Sequence, residues 1–201
     1  MNDSVFVSGI VLAAGQSSRM GPHNKLTTPW RGKPLVAHVV DAALESDLDD
    51  FVVVTGHDRE AIEMIFPSHI KTVHASDYAK GMAHSLSAGV QASAARPPWP
   101  DGIMVLLGDM PLVSSAHINA LVSAFAKAKA NGIAAPIVVA TSDGERGNPV
   151  VFDRSFADDL LALSGDEGAK QIVASNFDSV VTVEIGAAAR RDFDTPDAFF
   201  V

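Results

Sequence analysis

The residue types and spacing in this chain that could do chemistry are those that handle phosphates. Small residues run from Ala13 through Ala14, Gly15, Gln16, Ser17 and Ser18, and the basic Arg19 and Lys25 come directly behind them. A loop of this kind brings several backbone N–H groups close to an anion, because no bulky side chain stands in the way. Arg19 adds a planar fork of donors and Lys25 a compact point charge, a combination that suits a polyphosphate. Far downstream, Asp109 closes the apolar run Ile103 to Leu107, and Asp192 and Asp194 flank Phe193. Carboxylate oxygens are what hard cations accompanying phosphates prefer. Alternate residues of an extended segment face the same side, so Asp192 and Asp194 can point together at one cation. Taken singly, each piece also fits something plainer: a turn with solvent-facing bases, or an acid cluster capping the helical turn at Pro196.

The hydrophobic spacing supplies elements to hold these groups. Val7 to Leu12 is too short for a helix and reads as a buried strand leading into the small-residue loop. Residues 34–45 repeat apolar side chains at helical spacing, with Pro34 at the entry. Residues 51–56 form a second strand, and Asp58 is placed to cap a helix carrying Ala61, Ile62, Ile65 and Phe66. A third strand over 70–75 precedes a helix that opens at Gly81, with Met82, Leu86 and Val90 on one face. His84 on that helix reads as structural. Three prolines between Arg96 and Asp101 make a surface loop. Ile103 to Leu107 is the most apolar strand and is expected at the sheet centre. Ser114 or Ser115 caps a long helix bearing Ile118, Leu121, Val122 and Phe125, and strands are expected over 133–140 and from Val150. Residues 153–163 are helical, a short helix follows Ala169, and residues 180–185 form the last strand. Strand–helix alternation of this kind implies an α/β fold, a mostly parallel sheet with right-handed crossovers in three α/β/α layers. The whole of residues 1–201 is expected to be one domain. Asp109 then lies at the C-terminal edge of a central strand, where open α/β sheets bind ligands.

The wording of the motifs narrows this. The loop is neither G-x-x-x-x-G-K-[ST] nor G-x-G-x-x-G, so a P-loop and a dinucleotide fingerprint are both excluded. Read as L-A-A-G-x-S-x-R-M-G with a lysine beyond, it resembles the signature loop of the nucleotidyltransferases with the nucleotide-diphospho-sugar transferase (Rossmann-like) fold. Within them it looks most like the molybdenum cofactor cytidylyltransferases, relatives of the guanylyltransferases whose loop usually reads L-A-G-G where Ala14 stands here. L-L-G-D-M-P-L around Asp109 is similar to the family's metal motif, and D-F-D-T-P-D to its second acidic motif. The G-[HN]-P-V-x-F segment, S-G-D-x-G-A turn and G-M-x-x-S-L helix also have counterparts, in the family's order along nearly the whole chain. The resemblance implies nucleotide binding by Leu12, Ala13, Ala14, Gly15, Ser17, Ser18, Arg19, Lys25, Gly81 and Ser85. It implies Mg²⁺ on Asp109 and Asp194, catalysis by Arg19, Lys25 and Asp109, and acceptor binding by Arg146, Gly147 and Asn148. The implied reaction moves CMP from CTP to the phosphate of the molybdenum cofactor, a molybdopterin-type acceptor, and releases pyrophosphate; the product is then handed to a molybdoenzyme.

Composition sets the outer bounds. The formal net charge of −9 argues against nucleic acid or an anionic membrane as a partner, yet residues 1–40 hold Arg19, Lys25, Arg31 and Lys33 against the single acid Asp3. A locally basic end on an acidic chain points to a small anionic ligand. Cysteine is absent, which excludes a thiol nucleophile and thiolate metal sites, and no G-x-S-x-G elbow occurs. No basic region precedes the first apolar stretch, so a cytoplasmic location is the default. Other readings stay open: a related transferase using GTP or another phosphate acceptor, a nicotinamide-dependent oxidoreductase on the same fold, and a cofactor-binding chaperone. Asp109 and Asp194 weigh against the last, since a chaperone needs no catalytic metal.

Overall fold

A computed structural model describes residues 5–17, 24–95, 97–165 and 168–200. In chain order the strands are β1 (Val7–Ala13), β2 (Pro29–Trp30), β3 (Lys33–Pro34), β4 (Asp50–Thr55), β5 (Thr72–His74), β6 (Gly102–Leu107), β7 (Ile137–Ser142), β8 (Glu145–Asp153) and β9 (Val180–Glu184). The helices are α1 (Leu35–Leu44), α2 (Arg59–Glu63), α3 (Met82–Ala94), α4 (Ser115–Ala130), α5 (Ala157–Ala162) and α6 (Lys170–Ser175).

Seven strands form one sheet in the order β5-β4-β1-β6-β8-β7-β9. All run the same way except β8, which is antiparallel to both its neighbours. The central strands β1, β4 and β6 are mostly apolar and buried because both faces are covered, and the pleat sorts the side chains between two cores. Val11, Val53, Met104, Leu106, Val138 and Val151 pack with α1, α2 and α4 on one face. Ile10, Val52, Val54, Val105, Val139 and Phe152 pack with α3, α5 and α6 on the other. The expected three-layer α/β/α architecture is therefore present.

From β1 the chain moves to β4 and β5 on one flank, then returns across the opposite face by α3 to enter β6 on the other flank. Right-handed crossovers in opposite directions put α1 and α3 on opposite faces. A crevice opens where such connections diverge, at the C-terminal ends of neighbouring strands. Here those strands are β1 and β6, in register from Val7↔Gly102 to Leu12↔Leu107.

Local departures from the sequence reading have physical causes. Asp58 stands at the N-cap of α2, but in the left-handed region (φ 53°) its side chain makes no capping bond and accepts from Asn24 instead, and α2 is only five residues long. Residues 133–136 are not strand, since Pro136 has no N–H to give a ladder, and β7 begins after it. Before α1, where the sequence suggested only a helix entry, β2 and β3 form a small hairpin turned by Arg31 (φ 46°) and Gly32 (φ 87°). Ser114 caps α4 in a reciprocal box with His117.

Candidate active site

The loop after β1 is tied down at both described ends. Ser17 Oγ donates to Asn24 Oδ1 (3.2 Å) and accepts from Lys25 N–H (3.1 Å). Asn24 is buried, caps the 3-10 turn Lys25–Thr27 through Leu26 N–H, and donates to the Asp58 carboxylate. His57 N–H reaches the Ala14 carbonyl at 3.2 Å. This web aims Lys25 across the crevice at Asp109, which follows Gly108 at the end of β6. Ser18 and Arg19 lie outside the described residues.

Asp194 arrives from far along the chain. Phe193 between the two acids is fully buried, edge-on to Trp30 and Phe199, and its N–H bonds the Asp109 carbonyl at 3.1 Å. With the odd side chain locked into that aromatic cluster, Asp192 and Asp194 turn to the crevice, as the alternation predicts. Lys25 Nζ bonds Asp109 Oδ2 at 2.5 Å and also Asp194 Oδ1. Burial disfavours the ammonium, but the Asp109 and Asp194 carboxylates outweigh it and hold the lysine above its ordinary pKa. Partial burial, then the Asp194 and Asp109 charges, push the Asp192 carboxyl above the usual carboxylate range.

Two cavities meet at this ion cluster. The smaller, of about 390 Å³, is lined by Leu12, Ala14, Gly15, Ser17, Gly81 and Ser85 together with Lys25 and Asp109. Gly81 starts α3 at φ 125°, a conformation L side chains rarely adopt. Of the residues expected here, Ala13 differs: its side chain packs into the α1-side core. The Ser17 hydroxyl is already engaged in holding the loop. The larger cavity, of about 740 Å³, brings Arg146, Gly147 and Asn148 of β8 to Lys25, Asp109 and Asp194. Gly147 allows a close approach there, since a Cβ on it would lie 2.0 Å from the Ala189 carbonyl oxygen. Lys170, Arg190, Met82 and Phe152 also line it, and sequence reasoning did not select them for the site. Arg190 precedes the acidic pair by two residues and Lys170 opens α6, so only their proximity to recognised motifs could have signalled them.

Among the described residues no group of three or more His, Asp or Glu is arranged to hold a metal. Two carboxylates, Asp109 and Asp194, already held together by one positive charge, nevertheless fit Mg²⁺. That ion commonly takes one or two protein carboxylates and completes its shell with phosphate oxygens and water. No helix among the described residues is long and apolar enough to cross a membrane.

The family model described as a MobA-like NTP transferase domain matches residues 9–180, and the chain belongs to that family. It is 32% identical over 215 residues to the purine catabolism protein PucB of Bacillus subtilis, covering 98% of this chain and 95% of that protein. It is 28% identical over 168 residues to the nicotine blue oxidoreductase of Paenarthrobacter nicotinovorans, covering 82% of this chain and 79% of that one. Among solved structures, Rv0371c of Mycobacterium tuberculosis H37Rv is similar with a TM-score of 0.83 and 26% identity, over 98% of this chain and 96% of that chain. The resemblance read from the motifs thus holds at the level of the family, and the chain is a nucleotidyltransferase.

Proposed function

We propose that this transferase moves the CMP group of CTP to the phosphate of a molybdopterin-type acceptor, with Mg²⁺ on Asp109 and Asp194. One observation carries the reading: the two cavities share Lys25 and Asp109. A triphosphate in the smaller and a phosphomonoester in the larger would meet at that pair. An acceptor phosphate oxygen bonds to the α-phosphorus, the bond from that phosphorus to the bridging oxygen breaks, and pyrophosphate leaves. A phosphomonoester is already anionic at neutral pH, so no general base is required.

The work left to the protein is alignment and charge. Loop N–H groups near Gly15 receive the triphosphate, and Arg19 completes that grip on the β- and γ-phosphates. Lys25 reaches the α-phosphate and the incoming oxygen. Mg²⁺, when bound, supplies Lewis-acid neutralisation of the phosphate oxygens. Arg146 and Asn148 hold the acceptor, with Gly147 letting that strand lie close. Ala14, which lines the smaller cavity while packing into the α3-side core, is the residue that would favour a pyrimidine over a purine there. The completed dinucleotide then passes to a molybdoenzyme.

Pyrophosphate release in equal CTP and GTP, with the molybdenum cofactor as acceptor and products identified by mass, tests this. Cytidylyl product should dominate. Guanylyl product would refute the base assignment, and release only with a different phosphomonoester would refute the acceptor. A further arm with reduced nicotinamide and no triphosphate should show no turnover.

A further inference from the structure

Lys25 occupies the place a dication would need. Its ammonium bonds both Asp109 and Asp194, and the three side chains are only 13%, 19% and 30% exposed. Two cations cannot share one pair of carboxylate oxygens at contact distance, and in a half-buried cluster salt screens their repulsion poorly. The same lysine also borders the smaller cavity. Its backbone is fixed by the Asn24-capped turn, while its charge rides on a flexible four-carbon stem. The side chain can therefore trade partners without any movement of the loop.

We propose that Lys25 is the resident counter-ion of Asp109 and Asp194 in the nucleotide-free protein and leaves them for a triphosphate, so that the protein takes its divalent cation only together with nucleotide. The inference rests on the reading of those two acids as metal ligands. It follows from geometry and charge: the ammonium bonds one oxygen of each acid and cancels one of their two negative charges, so with only the Asp192 carboxyl beside them Asp109 and Asp194 offer a dication little. Once a polyanion draws the ammonium aside, both carboxylates are released from it beside new phosphate oxygens. The species that binds productively is then the metal–nucleotide complex.

The test is Mn²⁺ binding to the full chain, read by calorimetry and by the paramagnetic signal of free Mn²⁺. Unmodified protein is compared with Lys25→Met and Lys25→Gln, each with and without a non-hydrolysable CTP analogue. Melting curves establish which variants are folded, and either one suffices. Without nucleotide, the neutral variants should bind Mn²⁺ at least tenfold more tightly than the unmodified protein. The analogue should tighten Mn²⁺ binding tenfold or more in the unmodified protein and much less in the variants. Adding Asp109→Asn to Lys25→Met should abolish the gain. Variants that bind no more tightly than the unmodified chain would overturn the proposal, as would tight binding by the unmodified chain alone. If Mn²⁺ binds nowhere while the analogue itself binds by calorimetry, the metal reading falls and takes the proposal with it. The nucleotide site would then stand.

Discussion

On the β1 side of Lys25 the cavity is lined by the small residues Ala14, Gly15, Ser17, Gly81 and Ser85 together with Leu12, Tyr78 and Met82, and its loop is pinned through Ser17, Asn24 and Asp58. On the β8 side the cavity is nearly twice as large, floored by apolar side chains and edged by Arg146, Lys170 and Arg190. The restraints there are weak. Arg146 lies over the exposed Phe177 ring at 5.5 Å, and Arg190 stands 3.9 Å from Glu145 with both side chains largely in water. Exposed pairs of this sort contribute little to rigidity. One half is preorganised by its main chain, as suits a ligand part common to every triphosphate. The other relies on side-chain tips, which can be exchanged without disturbing the sheet, and so can be fitted to a particular acceptor.

Lys25→Ala strikes the seam between the halves and should have the largest effect. Turnover should fall by about 10²–10³ while the protein stays folded, the loss expected for a charge proposed to act on the reacting phosphates. Near-normal turnover would mean that the seam is not the reaction centre. Gly147→Ala comes next. Its Cβ would collide with the Ala189 carbonyl, so a loss of about 1–3 kcal/mol in chemical denaturation is expected. Acceptor use should suffer and triphosphate binding persist; equal damage to both would break the division. Arg146→Ala should raise the acceptor KM by about tenfold, with the CTP KM unchanged, since it removes one charged hydrogen-bond partner. Ala14→Gly should do the opposite, leaving the acceptor KM alone and weakening the preference for CTP over GTP by a factor on the order of ten or less without reversing it.

The smallest effect concerns Asp192. Its carboxyl is held above the ordinary value, so ionisation is less favourable in the folded state than in the unfolded one. Stability is therefore lost as the pH rises from the unfolded value through the folded one. Asp192→Asn should melt slightly higher at neutral pH, by less than about 1 kcal/mol for a partly exposed group. The gain should vanish below the unfolded carboxylate range. Lys25 shows the same direction of pH dependence for the opposite reason, since its charged form is the one the fold favours. Its contribution is complete below the ordinary lysine value and disappears as the pH climbs through the raised one.

The same contrast explains what the sequence made legible. The layers and the central strand were readable because a sheet buried on both faces leaves unbroken apolar runs, as at Ile103 to Leu107, whereas the order of the strands and the reversed β8 carry no such signal. The preorganised half is contiguous, so residues such as Ala14, Gly15 and Lys25 announce themselves in one short stretch. The web joining Ser17, Asn24 and Asp58 was not legible, since hydrogen-bond partners carry no periodic signal. The place of Asp58 at the start of α2 is legible but its partner is not, because the left-handed backbone that turns its carboxylate toward Asn24 leaves no trace in residue type. Lys170 and Arg190 were passed over for the related reason that a cavity edge drawn from several elements has no motif. The hairpin at Trp30 has strands too short to show alternation.

Phe193 N–H on the Asp109 carbonyl has a consequence in time as well as space. Asp194 is 169 residues downstream of Lys25, which corresponds to on the order of ten to thirty seconds of synthesis. A growing chain has Lys25, its loop and Asp109 long before Phe193 emerges to join the aromatic cluster with Trp30 and Phe199. During that interval Asp194 is not yet there to share the lysine, and the larger cavity lacks its Ala189-to-Asp194 wall. A nascent or truncated chain can thus have the segment after β1 in place and yet lack the assembled cluster of Lys25, Asp109 and Asp194. The aromatic latch makes chemical competence report that translation has reached Asp194.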